Sequence, residues 1–434
     1  MKKIIMMLAT ISLILSMVAC GNSKETDGNE MLVTDDSTSI KETMEKESYE
    51  TNGDEPTLEN EKNTENNNSN QESATDNEYV SLSESKGFNF ESNGDGTCTL
   101  TKMGTCNDKD IVIPEKAPSG DIVTKIDEYA FYGAENVNSI VFVNKKMELD
   151  EKAFQSCEAK KIVITGCDMI IGENAFSYCE DITEVYIGNS NIEAEAYAFY
   201  DAGKDINIKI EKCTGTLDEK AFQSSGIALL TINDSTFELG ENVFSYCEDL
   251  TAVNINNSTV EIGAYAFYDA GDDATVTFVD CKLDIDDKAF QCCGLVTLNI
   301  SGSETIIGNN AFSYCEDLTD VIIGAGSVEL GEYCFYDCTS LVNVSIAADS
   351  QDDSIEIVID DKAFQSCSVQ NMVIGKGNIE IGDSAFSYCD ELVSVEIKGT
   401  LSDIGEYVFY DCQEELIITY DGEKYNKESI EDVR

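Results

Sequence analysis

Residues 310–338 read NAFSYCEDLTDVIIGAGSVELGEYCFYDC, and this stretch decides the fold of most of the chain. It contains two phenylalanines, Phe312 and Phe335, and each follows a small residue in a short polar segment. Between them, residues 318–323 have the pattern Leu-x-x-Val-x-Ile, in which alternate side chains point to one face of a strand. A second apolar alternation comes at residues 328–330. The stretch therefore predicts a repeating unit of two short strands and one turn.

The phenylalanine turn recurs along the chain at intervals of about 22–23 residues, with one longer interval between Phe335 and Phe364. The thirteen phenylalanines are Phe131, Phe154, Phe176, Phe199, Phe222, Phe244, Phe267, Phe290, Phe312, Phe335, Phe364, Phe386 and Phe409. A fixed period of this length is typical of a solenoid. We predict a mainly β solenoid of about 13 coils with short parallel strands, in which phenylalanine stacks on phenylalanine inside. The longer interval predicts a surface loop near residues 349–353.

Glycine or an acidic residue stands four positions before most of these phenylalanines, as Gly240 and Asp218 do. Glycine adopts a positive φ without steric cost, and aspartate tolerates it better than most residues. This position is therefore expected to be the left-handed residue of each turn.

Units such as residues 310–338 resemble the BspA-type (Treponema-type) leucine-rich repeats of bacterial surface lipoproteins. Residues 90–131 resemble the N-terminal cap of such arrays, and residues 418–429 resemble their terminal strand. The resemblance covers about residues 88–425 and implies a leucine-rich repeat scaffold for adhesion and protein binding. The expected organisation of this part is a cap at 79–120, the solenoid at 121–421 and a C-terminal tail at 422–434.

The N-terminus has the features of an export signal. Lys2 and Lys3 precede an apolar run over residues 4–18, too short for a comfortable transmembrane helix. The run ends in Val18-Ala19-Cys20, which resembles the bacterial lipobox. We therefore expect a lipoprotein signal peptide at 1–19, lipidation of Cys20, and an extracytoplasmic protein anchored at the bacterial cell surface. The alternative is ordinary signal cleavage beside an incidental cysteine.

Residues 20–78 are predicted to be a disordered acidic tether. From residue 21 to residue 78 there are 17 acidic and 4 basic side chains and almost no large apolar residues. Such a segment buries too little apolar surface to offset its chain entropy, and its charges keep it extended.

The composition excludes several classes of function. The chain of 434 residues has no histidine, so Ser-His-Asp and Cys-His arrangements and histidine-ligated metals are ruled out. A net charge of −56 repels phosphates, so no nucleic acid is expected as a partner. The repeated acidic pairs are spread along the solenoid instead of converging as Ca²⁺ requires. No metal site, catalytic residue or cofactor is predicted.

Most of the 17 cysteines follow the repeat. Nine lie three residues after a phenylalanine and three lie nine residues before one, at places where other coils have alanine, serine, glycine or threonine. A buried cysteine behaves as a small hydrophobic residue, so free thiols in the core are favoured over disulfides between neighbouring coils. Cys98 and Cys106, near the N-terminal end, are the candidate disulfide.

Three kinds of coil alternate, so that Phe131, Phe199, Phe267 and Phe335 mark the same place in successive three-coil units. This longer period places tyrosines in rows on the solvent side, with members about 14 Å apart, three strand spacings. The candidate partner-binding tyrosines form two rows: Tyr129, Tyr197, Tyr265, Tyr333 and Tyr407, and Tyr132, Tyr200, Tyr268, Tyr336 and Tyr410. A third row contains Tyr178, Tyr246, Tyr314 and Tyr388. Tyrosine is favoured at interfaces, although a recent duplication also copies residues without a role.

The sequence therefore favours a non-catalytic, lipid-anchored scaffold that binds an unknown protein or glycan, similar to an adhesin. One alternative is a passive spacer or coat protein of the cell surface. The other is a carboxylate-based glycosidase, which needs two acids and no histidine.

Overall fold

The computed structural model describes Tyr79, residues 81–324 and residues 326–433. The predicted signal peptide, Cys20 and the acidic tether lie outside the described residues. The described part contains 28 strands and one 3₁₀ helix, Glu431–Val433. The strands are β1 (Asn89–Ser92), β2 (Thr97–Lys102), β3 (Asp110–Val112), β4 (Ile122–Ile126), β5 (Ser139–Val143), β6 (Lys146–Leu149), β7 (Lys161–Thr165), β8 (Asp168–Ile171), β9 (Glu184–Gly188), β10 (Asn191–Ala194), β11 (Ile206–Glu211), β12 (Thr214–Leu217), β13 (Ile227–Asn233), β14 (Thr236–Leu239), β15 (Ala252–Asn256), β16 (Thr259–Ile262), β17 (Ala274–Ile285), β18 (Leu295–Ile307), β19 (Asp320–Ile323), β20 (Ser327–Leu330), β21 (Asn343–Ile346), β22 (Glu356–Ile359), β23 (Asn371–Ile374), β24 (Asn378–Ile381), β25 (Ser394–Ile397), β26 (Thr400–Ile404), β27 (Ile417–Tyr420) and β28 (Glu423–Tyr425).

The strands form two parallel ladders that run the length of the solenoid. The first ladder joins β3, the odd strands from β5 to β15, the first parts of β17 and β18, and the odd strands from β19 to β27. The second ladder joins the even strands from β2 to β16, the later parts of β17 and β18, and the even strands from β20 to β26. The prediction of a parallel β solenoid is confirmed, because each coil pairs with the next coil through parallel strands.

The third side of every coil is the phenylalanine turn. Its backbone also joins neighbouring coils, because each of the first twelve phenylalanine N–H groups donates to the carbonyl of the residue before the next phenylalanine, as from Phe199 to Ala221 at 2.7 Å. We call the surface formed by the thirteen phenylalanine turns the turn face.

The core is filled by the predicted column of phenylalanine rings. All twelve successive pairs of the thirteen rings are stacked, with centroids between 4.5 Å, as for Phe199 and Phe222, and 5.5 Å, as for Phe222 and Phe244. The strand residues that the Leu-x-x-Val-x-Ile pattern points inward, such as Val321 and Ile323, are fully buried in the same core. Stacked aromatic pairs contribute about 0.5–1.5 kcal/mol beyond their buried area.

The turn geometry differs from the prediction. The glycines four positions before the phenylalanine, such as Gly240, are not left-handed; a side chain there would lie 2.8 Å from the backbone of Asp218 in the preceding coil. The left-handed residues are instead those two positions before and two positions after every phenylalanine, for example Lys220 and Ser224 with φ of 59° and 57°. They bracket the phenylalanine and aim its ring inward. The expected position was wrong because glycine at this place serves close approach between coils.

The cysteines of the repeat are buried as predicted. All fifteen cysteines that the structure describes as free are buried, including those three residues after a phenylalanine. Several of these thiols point at the phenylalanine carbonyl of the preceding coil, as Cys247 Sγ does toward Phe222 O at 3.3 Å. Ser225 uses the same geometry, with its hydroxyl 2.6 Å from Phe199 O. The position therefore accepts small side chains, and a weak donor is accommodated there.

The structure holds Cys98 and Cys106 as free, buried thiols and not as the candidate disulfide. Cys98 lies in β2, where its Sγ is 3.7 Å from the carbonyl oxygen of Asp121. Burial raises the pKa of both thiols above the ordinary cysteine value.

The two ends of the solenoid carry antiparallel pairs. At the N-terminal end β1 pairs with β2, and at the C-terminal end β27 pairs with β28. The assignment of residues 79–120 as a cap stays a prediction. The insertion after Phe335 forms a mostly exposed loop between β21 and β22, as expected from the longer interval.

Tyr79 lies on the outer face of the first ladder, and its ring centroid is 6.3 Å from that of Tyr186. Together with Val112, Val141 and Val163, these tyrosines form a small apolar cluster separate from the main core. Within the described ranges, no helical segment combines the length and the hydrophobicity of a membrane span.

Candidate functional site: tyrosine clusters on the turn face

Two of the three tyrosine rows on the turn face occupy left-handed positions of the turns. Tyr197 lies two residues before Phe199 with a φ of 59°, and Tyr178 lies two residues after Phe176 with a φ of 57°. Tyr200, directly after Phe199, points outward because the phenylalanine itself points into the core. The backbone of the repeat therefore fixes the direction in which each tyrosine leaves the surface.

The three predicted rows are not separate on the surface. Tyr178 of one coil lies edge-on against Tyr200 of the next coil, with centroids 5.7 Å apart, and Tyr200 lies edge-on against Tyr197 at 5.6 Å. A backbone bond of 2.9 Å from Tyr178 N–H to the Tyr200 carbonyl holds the coils in this register. The perpendicular arrangement is the one that aromatic quadrupoles favour. The tyrosines therefore act as compact groups of three.

We call these groups the tyrosine clusters. Four are complete, and the first three-coil unit contributes only the pair Tyr129 and Tyr132, with centroids 5.5 Å apart. The four clusters are Tyr178, Tyr197 and Tyr200; Tyr246, Tyr265 and Tyr268; Tyr314, Tyr333 and Tyr336; and Tyr388, Tyr407 and Tyr410.

A lysine of the following coil covers one tyrosine in each of the first three clusters. The ammonium groups of Lys220, Lys288 and Lys362 lie 5.4, 5.2 and 4.5 Å from the ring centroids of Tyr197, Tyr265 and Tyr333. These are cation–π distances, and the Lys288 ammonium also donates to the Tyr265 hydroxyl at 2.8 Å. The lysines are two residues before their own phenylalanine, so they stand one coil beyond the tyrosine in the same column of the turn face. Lys152 stands in this column one coil beyond Tyr129 and forms an ion pair with Glu151.

The predicted tyrosines fall into two groups by exposure. Seven are half-buried: Tyr197, Tyr200, Tyr265, Tyr268, Tyr314, Tyr333 and Tyr336. Seven are exposed by 43–61 %: Tyr129, Tyr132, Tyr178, Tyr246, Tyr388, Tyr407 and Tyr410. Burial raises the pKa of Tyr268, Tyr314 and Tyr336 above the ordinary tyrosine value.

Acidic and amide side chains flank the clusters. Burial, with help from the charge of Glu248, raises the pKa of Asp269 next to Tyr268, and burial raises that of Asp337 next to Tyr336. Between the first and second clusters, the amide of Gln223 donates to the hydroxyl of Ser245 at 2.9 Å. The turn face therefore offers aromatic edges, carboxylates and amide groups side by side, which suits polar ligands with an apolar or cationic part.

The last cluster borders a cleft of about 310 Å³. Its lining residues are Gln365, Ser384, Ser387, Tyr388, Tyr407 and Tyr410. The cleft is open to solvent and shallow, and tyrosine rings form much of its wall.

Two further clefts lie on the second ladder. One, of about 440 Å³, is lined by residues that include the exposed Ile122 and Ile170 and the nearly buried Lys145. Burial lowers the pKa of Lys145, whose ammonium lies 3.7 Å from Glu84 Oε1.

The other cleft, of about 270 Å³, is lined by carboxylates that include Glu238, Glu261 and Asp284. These three are successive members of one ladder, at matching positions of β14, β16 and β17. Across the ranges that the structure describes, no group of three or more acidic or cysteine side chains is placed to hold a metal ion.

The sequence matches the family model described as BspA type leucine rich repeat region, in six copies over residues 104–228, 215–342 and 357–430. Among solved structures, a leucine-rich repeat protein from Bacteroides ovatus ATCC 8483 is similar, with 21 % identity, 78 % of this chain and 88 % of that chain covered, and a TM-score of 0.43. A leucine-rich cell surface protein from Faecalibacterium prausnitzii A2-165 has 20 % identity, coverage of 74 % and 97 %, and a TM-score of 0.29. The pneumococcal vaccine antigen PcpA has 15 % identity, coverage of 77 % and 92 %, and a TM-score of 0.31. No curated protein matches the sequence at a significant level.

Proposed function

This chain belongs to the BspA-type leucine-rich repeat family, and from that premise we propose that it is a non-catalytic scaffold that binds a protein or glycan partner through its tyrosine clusters. In this proposal the scaffold is extracytoplasmic, is lipid-anchored at Cys20, and stands away from the membrane on the acidic tether of residues 20–78.

The observation that carries the proposal is the exposure of the clusters. Tyr178, Tyr246 and Tyr388 occupy equivalent places in three clusters, and each is 43–48 % exposed. An aromatic residue in this position contributes less to the stability of the core than a buried one would. Tyrosine combines a large rigid contact area with a polar tip, which interfaces use repeatedly. The clusters recur every three coils, about 14 Å apart, so a long partner can contact several of them at once.

The two other functions have less support. A passive spacer has no use for repeated exposed aromatic groups, which increase the tendency of a surface to associate. For a glycosidase, the best candidate acids are those of the acidic cleft, such as Glu238 and Glu261. These carboxylates repeat along the ladder, whereas a catalytic pair requires two acids in distinct environments.

The test is a binding screen of the mature chain against matrix proteins, mucin glycans and bacterial wall polysaccharide. The informative variant is Tyr178→Ser/Tyr246→Ser/Tyr388→Ser, because these side chains are exposed and their loss leaves the core intact. The matched control replaces the same three residues by phenylalanine, which keeps the rings. We expect saturable binding that the serine variant loses and the phenylalanine variant largely keeps. Binding that is equal in all three proteins, or absent against every class, would contradict the proposal.

A further inference from the structure

We propose that the last tyrosine cluster, with Tyr407 at its outer end, binds a lysine side chain of a polypeptide partner. The proposal rests on the function proposed above and narrows it to one cluster and one ligand chemistry. It is based on the earlier clusters, in which a lysine of the chain itself already occupies the equivalent place.

The third cluster shows how such a lysine is held. The ammonium of Lys362 lies 4.5 Å from the ring centroid of Tyr333 and 3.3 Å from Glu332 Oε1. The ring supplies a cation–π contact and the neighbouring carboxylate supplies a charged hydrogen-bond acceptor. Tyr333 and Glu332 thus form a binding site for a lysine side chain, which Lys362 of this chain occupies.

The same pair is repeated at the end of the array. Residues 331–338 read GEYCFYDC and residues 405–412 read GEYVFYDC, so Glu406 and Tyr407 correspond to Glu332 and Tyr333. Both tyrosines have a φ of 59°, and each lies edge-on against the tyrosine three residues later. The backbone and the aromatic neighbours are therefore equivalent in the two clusters.

The two clusters differ in the part of the chain that comes after them. Beyond Phe409 the described residues form no further phenylalanine turn; the chain enters β27 and β28, and Ile430 closes the end of the core. The nearby Lys427 is held by the carbonyl of Cys412 at 2.9 Å and by Glu414 at 2.8 Å. Among the described residues, no lysine ammonium lies over the ring of Tyr407. Its side chain is 61 % exposed, whereas Tyr333 is half-buried.

The ligand chemistry is set by the third cluster as a template and by the charge of the molecule. A flexible alkyl chain that ends in a primary ammonium fits where Lys362 fits in the preceding cluster. The net charge of −56 attracts cationic partners and favours their approach over that of anionic ones. One such contact is weak, so the lysine must belong to a partner with additional contacts, and a polypeptide supplies these.

The experiment measures binding of a fluorescein-labelled Gly-Ser peptide containing three lysines to the full mature chain, by anisotropy and calorimetry. The matched peptide carries acetyl-lysine, which keeps the chain length but removes the charge. We expect Tyr407→Ser to weaken binding about three- to tenfold, from loss of an exposed cation–π contact and its neighbouring ion pair. Tyr407→Phe keeps the ring but removes the hydroxyl, which in the second cluster accepts a hydrogen bond from Lys288 Nζ at 2.8 Å. We therefore expect this variant to bind more weakly than the natural protein and more strongly than Tyr407→Ser.

A second variant tests the template directly. Lys362→Ser removes the lysine that covers Tyr333 and should open a further, equivalent site, so the number of peptides bound per chain rises by one. Arg434→Ala tests whether that arginine fills the site itself, and we expect it to change nothing. Any of four results overturns the proposal. The acetylated peptide binds as well as the lysine peptide, or Tyr407→Ser binds the lysine peptide normally. Alternatively, Lys362→Ser gains no additional site, or Arg434→Ala binds the lysine peptide and the natural protein does not.

The failure of this inference is distinguishable from failure of the proposed function. If lysine peptides do not bind while the screen still finds a ligand that the Tyr178, Tyr246 and Tyr388 variant loses, the scaffold function stands and the lysine site is wrong. If the lysine peptide binds as expected and the screen finds nothing, the site at Tyr407 stands and the wider use of the clusters is wrong.

Discussion

Truncation of Phe244 to alanine tests whether the phenylalanine column stabilises the solenoid locally. Phe244 is 1 % exposed, and its ring centroid lies 5.5 Å from that of Phe222 and 5.1 Å from that of Phe267. The substitution removes a buried aromatic side chain, which costs about 3–5 kcal/mol of unfolding free energy. Because coils of a solenoid contact only their neighbours, this loss is concentrated in the coils on either side.

Hydrogen exchange followed by mass spectrometry measures that localisation. Exchange through local opening should accelerate by about 10²-fold to almost 10⁴-fold in β13, β15 and the first part of β17, since each 1.36 kcal/mol is tenfold. Strands near the two ends should exchange at their original rates. The matched control is Tyr246→Ala, two residues away but 45 % exposed, for which we expect less than about 1 kcal/mol. A loss below about 1 kcal/mol for Phe244→Ala, or acceleration spread evenly over all coils, would refute the reasoning.

Three further predictions concern the thiols, the turns and the N-terminus. Burial raises the pKa of Cys157 and Cys247 to about 12, so between pH 9 and pH 12 the unfolded chain releases thiol protons that the folded chain keeps. The free energy of unfolding therefore falls with rising pH in this window, by about 1.4 kcal/mol per pH unit for each such thiol. Urea unfolding should show a shallower fall with pH for Cys247→Ala than for the natural protein. An unchanged slope would contradict the raised pKa of Cys247. Ser224 has a φ of 57°, a conformation that glycine adopts more easily than alanine. In urea unfolding, Ser224→Gly should therefore be more stable than Ser224→Ala by about 1 kcal/mol. Equal stabilities would mean that the turn is not left-handed in solution. Cys20→Ser should move the protein from the membrane fraction to the soluble fraction, and retention on the membrane would exclude the lipid anchor.

The architecture was predictable because one physical requirement repeats at a fixed interval. Each phenylalanine must stack on the next, so the interval between Phe199 and Phe222 already specifies the length of a coil. The alternation in segments such as residues 250–255 then assigns the inward faces of the strands. These features act locally or between adjacent coils, and they need no knowledge of distant contacts.

The turn conformation was not predictable from residue types. Tyrosine, lysine, asparagine and serine all occupy the left-handed position before the phenylalanine, as Tyr197, Lys220, Asn242 and Ser384 show. Of these, only asparagine favours that conformation by itself. The backbone bonds between coils impose it on the others, so glycine at another position of the turn was misleading.

The grouping of the tyrosines was missed for a related reason. For each tyrosine alone, the three-coil period predicts a separate row. Tyr178 and Tyr200 stand only one coil apart, so their positions within the coil bring the two rings together. The same position of the turn holds Tyr197 in one coil and Lys220 in the next. Comparing equivalent positions in adjacent coils therefore predicts the lysine contacts as well.

Duplication of a three-coil unit leaves the last tyrosine cluster without a covering lysine, although the sequence of that cluster closely matches the one before it. The lysine that covers a cluster comes from the coil after it, so Tyr333 is covered because Lys362 follows. Tyr407 stands in an almost identical segment but lies at the end of the array, where the chain turns into β27 and β28 instead. Additional copies of the unit would lengthen the covered part of the turn face and would still leave the last cluster uncovered. Whether such an array carries an unoccupied lysine-binding site therefore depends on its C-terminal coil and not on the number of repeats.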